Sequence, residues 1–321
     1  MTLRPDLLTD AFRALSAQLG QDPLQVQGPG GNSSIKGGGV MWIKASGTEL
    51  ADAERSDIFV AVDREAAKAE ATGAGDGTCK ATVLDPAVTL RPSIETTFHA
   101  ALDHTVIAHT HSVATLVHAI SPEGRMALND KLAGLPFVQV PYCKPGVPLT
   151  TEILSRATPE TQVIVLQNHG LICCGASVQE TSDLIAEVEK RLAMPERSIS
   201  VDNALPAPDD GFTWAIESWL AIASADRATA GSYYPDHVVF LGPALPQTDN
   251  ATNPPAILRP GVGVLLRKDA TASQKAMLKC LSDVLIRVPE DWSLAAIGPA
   301  AEADLLNWDA EKYRQALAAR Q

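Results

Sequence analysis

Short apolar runs alternate with helical patterns along the first 195 residues of the chain. The apolar runs predict strands, which are expected at 40–46, 57–63 and 105–111, with two more within 161–175 that meet at Asn168, His169 and Gly170. Apolar residues that recur every three to four positions predict helices at the start of the chain, over 93–104, from Ser112 onwards and over 177–194. Ser112 is a predicted N-cap, and Ser177 and Glu180 have the spacing of a capping box. Strands interleaved with helices predict a layered α/β architecture.

The pattern changes after residue 195. Residues 195–211 are rich in Pro, Asp and Ser, which predicts a linker. The elements predicted beyond it are a helix at 213–226, a strand at 237–243, a hairpin at 256–267 and a helix at 271–288. We therefore predict a catalytic domain over residues 1–200 and a smaller α+β extension over residues 205–321.

Charge and composition exclude several classes of protein. Hydrophobic residues make up 45% and charged residues 20% of the chain, as in ordinary globular proteins, and no apolar run has the length of a membrane span. A formal net charge of −12 argues against nucleic acid or an anionic membrane surface as a partner. The five cysteines are odd in number and lack C-x-x-C spacing, and the start of the chain lacks the apolar core of a signal peptide. We therefore predict reduced thiols and a cytoplasmic location.

The clearest chemical signal is a His-x-His pair at the end of the predicted strand 105–111. Side chains two apart on a strand point to the same face, so His109 and His111 could converge on one metal ion. Two partly buried imidazoles bonded to backbone carbonyls are the alternative. His169 lies at the predicted turn between two core strands, where it would provide a third nitrogen and leave a position open for water or substrate.

Glu95 begins the predicted helix that precedes the His109 strand. A carboxylate there often only complements the helix dipole, but beside a metal it can be a displaceable ligand and a general base. His99, four residues later, is predicted to support Glu95. His118 is predicted to lie outside the metal site, and His104 to lie at the surface.

A glycine-rich stretch at 27–50 lacks both G-x-G-x-x-G spacing and P-loop spacing, which argues against a dinucleotide or P-loop site. Its turns at 30–33 and 45–48 could each present backbone N–H groups to a phosphate, or could be plain turns.

Five motifs occur in a fixed order along the chain: GGNSS, KASGT, PSIETTFH, AHTH and NHGL. In this order and approximate spacing the chain resembles the class II aldolase/adducin family, which includes L-fuculose-1-phosphate aldolase, rhamnulose-1-phosphate aldolase and L-ribulose-5-phosphate 4-epimerase. The resemblance covers about residues 10–195. The N-terminal part and the region 230–315 look like the aldolase portion of bifunctional aldolase/short-chain dehydrogenase proteins.

The resemblance implies a three-layer αβα class II aldolase-like domain, followed by the smaller α+β extension. It implies that His109, His111 and His169 bind Zn²⁺, or another divalent metal such as Mn²⁺ or Co²⁺, and that Glu95 is the catalytic acid/base. It also implies a pocket for the phosphate end of the substrate, lined by Gly31, Asn32, Ser46, Gly47 and Ser93. A homotetramer that acts in carbohydrate metabolism is implied in the same way.

Ile94 departs from the family pattern, because sugar-phosphate aldolases often carry a second serine directly before the glutamate. Lys44 and Arg91 bring cations that would compensate for the lost hydroxyl donor, or both face solvent, where such residues usually lie. The substrate's anionic group would then be a differently placed phosphate or a carboxylate. Some family members use a tyrosine from a neighbouring subunit as proton donor, and whether Tyr142 has this role stays open.

We therefore expect a zinc-dependent aldolase that cleaves a ketose phosphate or a related hydroxy-keto sugar by metal-stabilised enediolate chemistry. Epimerase, dehydratase or decarboxylase chemistry on a sugar phosphate or sugar acid starts from a similar oxyanion and is the alternative. A non-catalytic, adducin-like binding protein is a second alternative, against which the intact histidines and Glu95 argue. The sequence identifies neither the substrate nor the role of the extension.

Overall fold

A computed structural model describes residues 2–199, 205–249 and 253–319 of the protein. The strands in these ranges are β1 Asn32–Gly37, β2 Val40–Lys44, β3 Phe59–Asp63, β4 Val106–Thr110, β5 Phe137–Val140, β6 Val163–Leu166, β7 Gly170–Gly175, β8 Phe212–Trp214, β9 Ala256–Arg259 and β10 Gly263–Arg267. The α-helices are α1 Asp10–Gln21, α2 Arg64–Glu70, α3 Thr96–Ala101, α4 Val113–Ala119, α5 Pro122–Lys131, α6 Val147–Arg156, α7 Val178–Leu192, α8 Leu220–Ala223, α9 Ala225–Thr229, α10 Pro235–Leu241, α11 Ala272–Arg287, α12 Pro299–Leu306 and α13 Asp309–Ala318. Among the described residues, no helix has the length and apolar character that a membrane span needs.

Strands β1 to β7 form one mixed sheet in the order β3-β2-β1-β4-β7-β6-β5. Neighbouring strands are antiparallel except for β5 and β6, which are parallel. Asn32 pairs with His109 and Thr110 pairs with Leu171. This register brings the start of β1, the end of β4 and the turn between β6 and β7 to the same end of the sheet.

Helices cover both faces of this sheet, which confirms the predicted layered α/β fold. Val163 and Val165 of β6 pack in a cluster with residues of α5 and α7, whereas Ile164 and Leu166 pack in a cluster with residues of α3 and α6. Because both faces of β6 and β7 are covered, these strands are nearly continuous apolar runs rather than alternating ones. His109 is two residues from Ile107, which belongs to the α3 and α6 cluster, so the histidine points towards that face.

The predicted elements of the first 195 residues are present, with ends that move by a few residues. The first helix starts at Asp10 behind a Thr9 cap, and the helix predicted over 93–104 is reduced to α3. Ser112 caps α4 as predicted. Ser177 caps α7, but the Glu180 carboxylate accepts from the N–H of Ala176 rather than from that of Ser177, so the predicted capping box is displaced by one residue.

Two predictions for the C-terminal region are wrong. Residues 237–243 were expected to form a strand, but most of them belong to helix α10, which starts with a proline and ends at Gly242 with φ 91°. Every residue of α10 is buried, so apolar periodicity could not separate helix from strand. Residues 213–226 do not form one helix, because the chain starts as β8, which pairs with β10, and Ser224 separates α8 from α9.

The hairpin predicted at 256–267 is confirmed as β9 and β10, and the helix predicted at 271–288 is confirmed as α11, which Thr271 and Gln274 start with a capping box. β8, β10 and β9 form a separate small sheet.

The extension packs on the helix that follows the His109 strand. One apolar cluster joins Leu116 of α4 to Val239 of α10 and Leu281 of α11. The predicted linker at 195–211 is described only in part, because residues 200–204 lie outside the described ranges, and its described residues have no helix or strand. The packing on α4 places the extension next to the end of the sheet where the histidines lie.

Candidate metal centre and active site

Three histidines meet where β4 ends. His109 lies within β4, His111 follows one residue beyond it, and His169 lies in the turn between β6 and β7. That turn requires a left-handed residue, which is Asn168 with φ 55°, and asparagine adopts this conformation more readily than most residues. The three histidines are buried, and one ligand nitrogen from each lies within 4.8 Å of the others. This group could hold a metal ion.

Hydrogen bonds orient two of the rings for metal binding. His109 Nδ1 donates to a β7 carbonyl oxygen at 2.9 Å, and His111 Nδ1 donates to Asp236 Oδ2 at 3.2 Å. A proton on Nδ1 leaves the lone pair of Nε2 for a metal. Within the described chain, the buried Nε2 of His109, Nδ1 of His169 and Oε1 of Glu95 have no hydrogen-bond partner. Buried polar atoms are nearly always paired, so the unpaired His109 Nε2 and Glu95 Oε1, which lie beside this group of histidines, fit a divalent ion.

Burial also sets the protonation state of the ligands. It lowers the pKa of His109 below its usual value and lowers that of His169 to about 3. These imidazoles are therefore neutral at pH 7, as metal binding requires. A set of three imidazole nitrogens suits zinc and leaves a coordination position open.

Glu95 lies against the histidines at the start of α3. Its Oε2 is 3.4 Å from His109 Nε2, and its Oε1 is 3.6 Å from His169 Nε2. The side chain makes no capping hydrogen bond to α3, so its position is not explained by the helix start. Burial acts to raise the pKa of Glu95, but its polar surroundings, which include a hydrogen bond from Asn32, hold the pKa below its usual value. The carboxylate is therefore ionised at neutral pH.

A buried chain of hydrogen bonds positions Asn32 between His99 and Glu95. The Asn32 amide donates to Glu95 Oε2 at 2.8 Å, and its carbonyl oxygen accepts from His99 Nε2. His99 Nδ1 in turn accepts from the Ser34 hydroxyl at 2.7 Å. The support that His99 was expected to give Glu95 thus passes through Asn32.

Most of the predicted site residues surround a cavity of about 30 Å³, which we call the inner cavity. Its lining includes Gly31, Asn32, Lys44, Ser46, Gly47, Ser93, Glu95, His111 and His169. Lys44 is only 2% exposed, and its Nζ donates to the Pro29 carbonyl at 3.0 Å. A cavity of this volume is too small for a whole sugar phosphate.

A larger cleft of about 660 Å³, which we call the outer cleft, adjoins the inner cavity. Both are lined by Ser46, Ile94 and Pro145. Arg91 lies in the outer cleft, with its guanidinium 4.0 Å from the centre of the Tyr313 ring, and so does not share the inner cavity with Lys44. A cleft of this volume is within the range of small-molecule sites.

The extension supplies three further residues to the inner cavity: Asp236, Glu311 and Arg314. Arg314 donates to both oxygens of Asp236, at 2.8 and 3.1 Å, and to Glu311 Oε2 at 2.8 Å. Asp236 then accepts from His111, so Arg314 and Asp236 together orient a candidate metal ligand. A Cβ at Gly30 would come within 2.9 Å of both Asp236 Oδ2 and His111 Nδ1, which explains why glycine occurs there.

These three residues were not predicted from the sequence to lie at the site. Glu311 and Arg314 have the i, i+3 spacing of a pair on one helix face, but such pairs are usually exposed and carry no functional signal. Asp236 lies directly before the run 237–243, which was interpreted as a strand. No local motif links Asp236, or the pair of Glu311 and Arg314, to His111.

Other candidate residues lie elsewhere. His118 Nδ1 donates to the Ala114 carbonyl, and its ring packs edge-on against Trp292. The half-buried Tyr142 lines neither the inner cavity nor the outer cleft, and burial raises the pKa of its hydroxyl.

Two known proteins are similar to parts of this chain. "Uncharacterized oxidoreductase YuxG" of Bacillus subtilis (strain 168) is 29% identical over 195 residues, which is 54% of this chain and 28% of that protein. The 3-oxo-tetronate 4-phosphate decarboxylase of Escherichia coli O6:H1 is 30% identical over 114 residues, which is 31% of this chain and 53% of that protein. The chain thus spans about a quarter and about half of the length of these two relatives.

A solved structure and a family model cover the first part of the chain. The N-terminal class II aldolase domain of a conserved protein from Thermoplasma acidophilum has a TM-score of 0.51 and 26% identity, covering 60% of this chain and 94% of that one. The model of the class II aldolase and adducin N-terminal domain matches residues 11–194, the segment that contains the three histidines and Glu95. The chain therefore belongs to the class II aldolase/adducin family.

Proposed function

We propose that this protein is a divalent-metal-dependent lyase of the aldolase type, which breaks a carbon–carbon bond near the carbonyl of a ketose phosphate or a related hydroxy-keto sugar acid. One observation carries the proposal. His109 and Glu95 hold unpaired buried atoms where the three histidines converge, next to a cavity that shares lining residues with a sugar-sized cleft. The ion we propose is zinc, and Mn²⁺ or Co²⁺ would fit the same ligands.

The chemistry divides among the residues of the inner cavity. Lewis acidity, which stabilises negative charge that develops on substrate oxygens, is what a divalent ion held by His109, His111 and His169 would supply. The Glu95 carboxylate moves a proton to or from the substrate carbon next to the carbonyl, because it is buried, ionised and held by Asn32. Asn32 is fixed from behind by His99, so the position of Glu95 is kept without solvent.

The anionic end of the substrate would be bound by polar groups that line the inner cavity. Lys44 offers an ammonium group and Ser46 and Ser93 offer hydroxyls, while Gly31 and Gly47 add no side chains that would block approach. Arg91 would contact the part of the substrate that lies in the outer cleft.

The test is a metal analysis followed by a cleavage screen. Purified protein should contain one divalent ion per chain, and zinc-, manganese- or cobalt-loaded protein should release an aldehyde from a member of a panel of ketose 1-phosphates and sugar acids. Glu95→Gln should bind the metal but lose turnover. A protein that neither contains nor binds a stoichiometric metal would instead favour the non-catalytic, adducin-like alternative.

A decarboxylase is the second candidate, because the 3-oxo-tetronate 4-phosphate decarboxylase is among the relatives. Loss of CO₂ from a 3-oxo acid leaves the same kind of carbanion as aldol cleavage, and the same residues would protonate it. The same screen separates the two reactions, since one releases an aldehyde and the other releases CO₂.

The assembly and boundaries belong to the same proposal. We expect a cytoplasmic homotetramer whose catalytic domain spans residues 1–200 and whose extension spans 205–321. Sedimentation analysis of the full chain would measure the oligomeric state directly.

A further inference from the structure

Glu311 is a buried carboxyl group that the proposed function does not yet use. It lies in the first turn of α13, is 1% exposed and lines the inner cavity together with Glu95, His111 and His169. Its Oε2 accepts from Arg314 at 2.8 Å, whereas its Oε1 has no hydrogen-bond partner among the described residues. A buried acceptor without a partner destabilises the fold, so a structural role alone explains this side chain poorly.

Neither the helix start nor the ion pair requires Glu311. A glutamate in the first turn of a helix often interacts with its N-terminus, but α13 has no side-chain cap, and Glu311 turns instead towards Arg314. Arg314 already has a carboxylate partner, Asp236, which it contacts with two hydrogen bonds. A second carboxyl group on the same guanidinium leaves its own second oxygen without a partner among the described residues.

We propose that Glu311 is a second catalytic acid–base group of this site, which exchanges a proton with the carbinol oxygen of the substrate through Oε1. This inference rests on the proposed lyase function. Glu311 exchanges the proton on the carbinol oxygen of the substrate, and Glu95 exchanges the proton on the carbon next to the carbonyl. One chain therefore provides both groups.

The two groups give a balanced reaction, described here in the direction of bond formation. Glu95 removes a proton from the carbon next to the carbonyl of the ketone fragment, and the electron pair of that C–H bond forms the enediolate. The enediolate carbon bonds to the carbonyl carbon of the aldehyde, and the C=O π electrons move to oxygen. Glu311 gives that oxygen its proton and becomes a carboxylate. Solvent then removes the proton from Glu95 and reprotonates Glu311, and cleavage is the reverse sequence.

The surroundings of Glu311 favour the protonated form that this role needs. Burial raises the pKa of its carboxyl group, and the negative charges of Asp236 and Glu95 act in the same direction, while Arg314 opposes them. Because Arg314 occupies Oε2, a proton on the carboxyl group would lie on Oε1, the oxygen without a partner.

Glu311→Gln tests the assignment, because it keeps the size of the side chain and an oxygen for Arg314. The zinc-loaded full chain would be assayed for cleavage of L-fuculose 1-phosphate and L-rhamnulose 1-phosphate. In parallel, exchange of the carbon-bound proton of dihydroxyacetone phosphate in heavy water would be followed by NMR. Exchange needs the carbon base but no carbinol proton. We expect cleavage to fall by about 10²–10⁴, exchange to stay within threefold of wild type, and zinc binding by calorimetry to be unchanged.

Glu302→Gln is the matched control, since Glu302 is also a buried carboxylate of the extension, but it binds Ser232 and does not line the cavity. It should keep both activities. Glu95→Gln should lose both. If Glu311→Gln does not fold, Glu311→Ala with added formate replaces it, and restoration of cleavage by formate is expected.

Each outcome decides the question. Cleavage by Glu311→Gln at the wild-type rate, equal loss of cleavage and exchange, or no rescue by formate would overturn the role of Glu311 and leave the lyase proposal standing. A wild-type protein that binds zinc but shows neither exchange nor cleavage would overturn the aldolase proposal itself, and this inference with it.

Discussion

Replacing Lys44 with methionine should raise the free energy of unfolding but weaken the binding of an anionic substrate. Lys44 is 2% exposed, and its Nζ donates a hydrogen bond to the Pro29 carbonyl at 3.0 Å. Burial lowers the pKa of its amine from 10.5 to about 7, with a smaller contribution in the same direction from Arg314, while Asp236, Glu49 and Glu95 act in the opposite direction. The amine is therefore easily deprotonated in the free protein.

The size of the stability effect follows from this pKa. One pKa unit corresponds to about 1.4 kcal/mol, so keeping Lys44 protonated in the folded state costs on the order of 5 kcal/mol. Between pH 7 and 10.5 the unfolded chain binds the extra proton, so stability rises with pH across this window and is lost as the pH falls towards 7. Methionine removes this cost but loses a hydrogen bond of about 1 kcal/mol. We expect Lys44→Met to raise the free energy of unfolding by on the order of 4 kcal/mol at pH 6, and by less at pH 9.

The effect on binding should have the opposite sign. A hydrogen bond between charged groups contributes about 1.5–3 kcal/mol, so loss of the ammonium should raise KM for an anionic substrate by about 10- to 150-fold. The uncharged sugar should show a much smaller change. Urea unfolding at pH 6, 7.5 and 9 measures the first effect, and steady-state kinetics on the phosphorylated sugar and its dephosphorylated form measure the second.

Lys36 provides the control. It is 6% exposed, donates to the carbonyls of Leu102 and His104, and also has a pKa of about 7 because of burial, but it does not line the inner cavity. Lys36→Met should change stability over the same pH window and leave KM unchanged. Lys44 would not be the group that recognises the anion if Lys44→Met raised KM equally for the phosphorylated and the dephosphorylated sugar. The same conclusion would follow if Lys36→Met raised KM for the phosphorylated sugar alone.

Three further variants test the metal centre. His169→Ala should keep its circular dichroism spectrum but lose stoichiometric zinc by elemental analysis, and full metal content would refute the ligand assignment. Glu95→Gln should bind zinc normally while turnover falls by about 10²–10⁴, and an unchanged rate would reduce Glu95 to a structural residue. Asp236→Asn should weaken zinc binding by about 10- to 100-fold in calorimetry, because His111 loses the carboxylate that orients it, and an unchanged affinity would show that this contact is not needed.

Much of the fold could be predicted from the sequence where the periodicity was unambiguous. The long amphipathic patterns of α7 and α11 were recognisable because their apolar residues occupy one face. The run 237–243 was not, because every residue of α10 is buried and a run that is apolar on all sides has no period to read. Helix ends such as those of α3 were also misplaced, since local packing rather than sequence pattern decides where a short helix stops.

The site residues also divide into those that the sequence could predict and those that it could not. His109 and His111 lie two residues apart, and on a strand this spacing points both side chains to the same face. His169 could be added because a turn between two core strands is visible in the sequence. Arg91 and Lys44 looked equivalent along the chain, but the structure separates them into the outer cleft and the inner cavity. Contacts between distant parts of the chain, such as that of His111 with Asp236, leave no local signal.

The extension contributes to the metal centre even though the candidate ligands all precede residue 170. It adds Asp236, Glu311 and Arg314 to the lining of the inner cavity. The Asp236 carboxylate fixes the ring of His111, and the Arg314 guanidinium, which donates to both oxygens of Asp236, balances its negative charge. With Glu311 protonated, the extension adds an orienting contact to the metal centre rather than net charge. The orientation of a candidate metal ligand therefore depends on residues that lie outside the five family motifs.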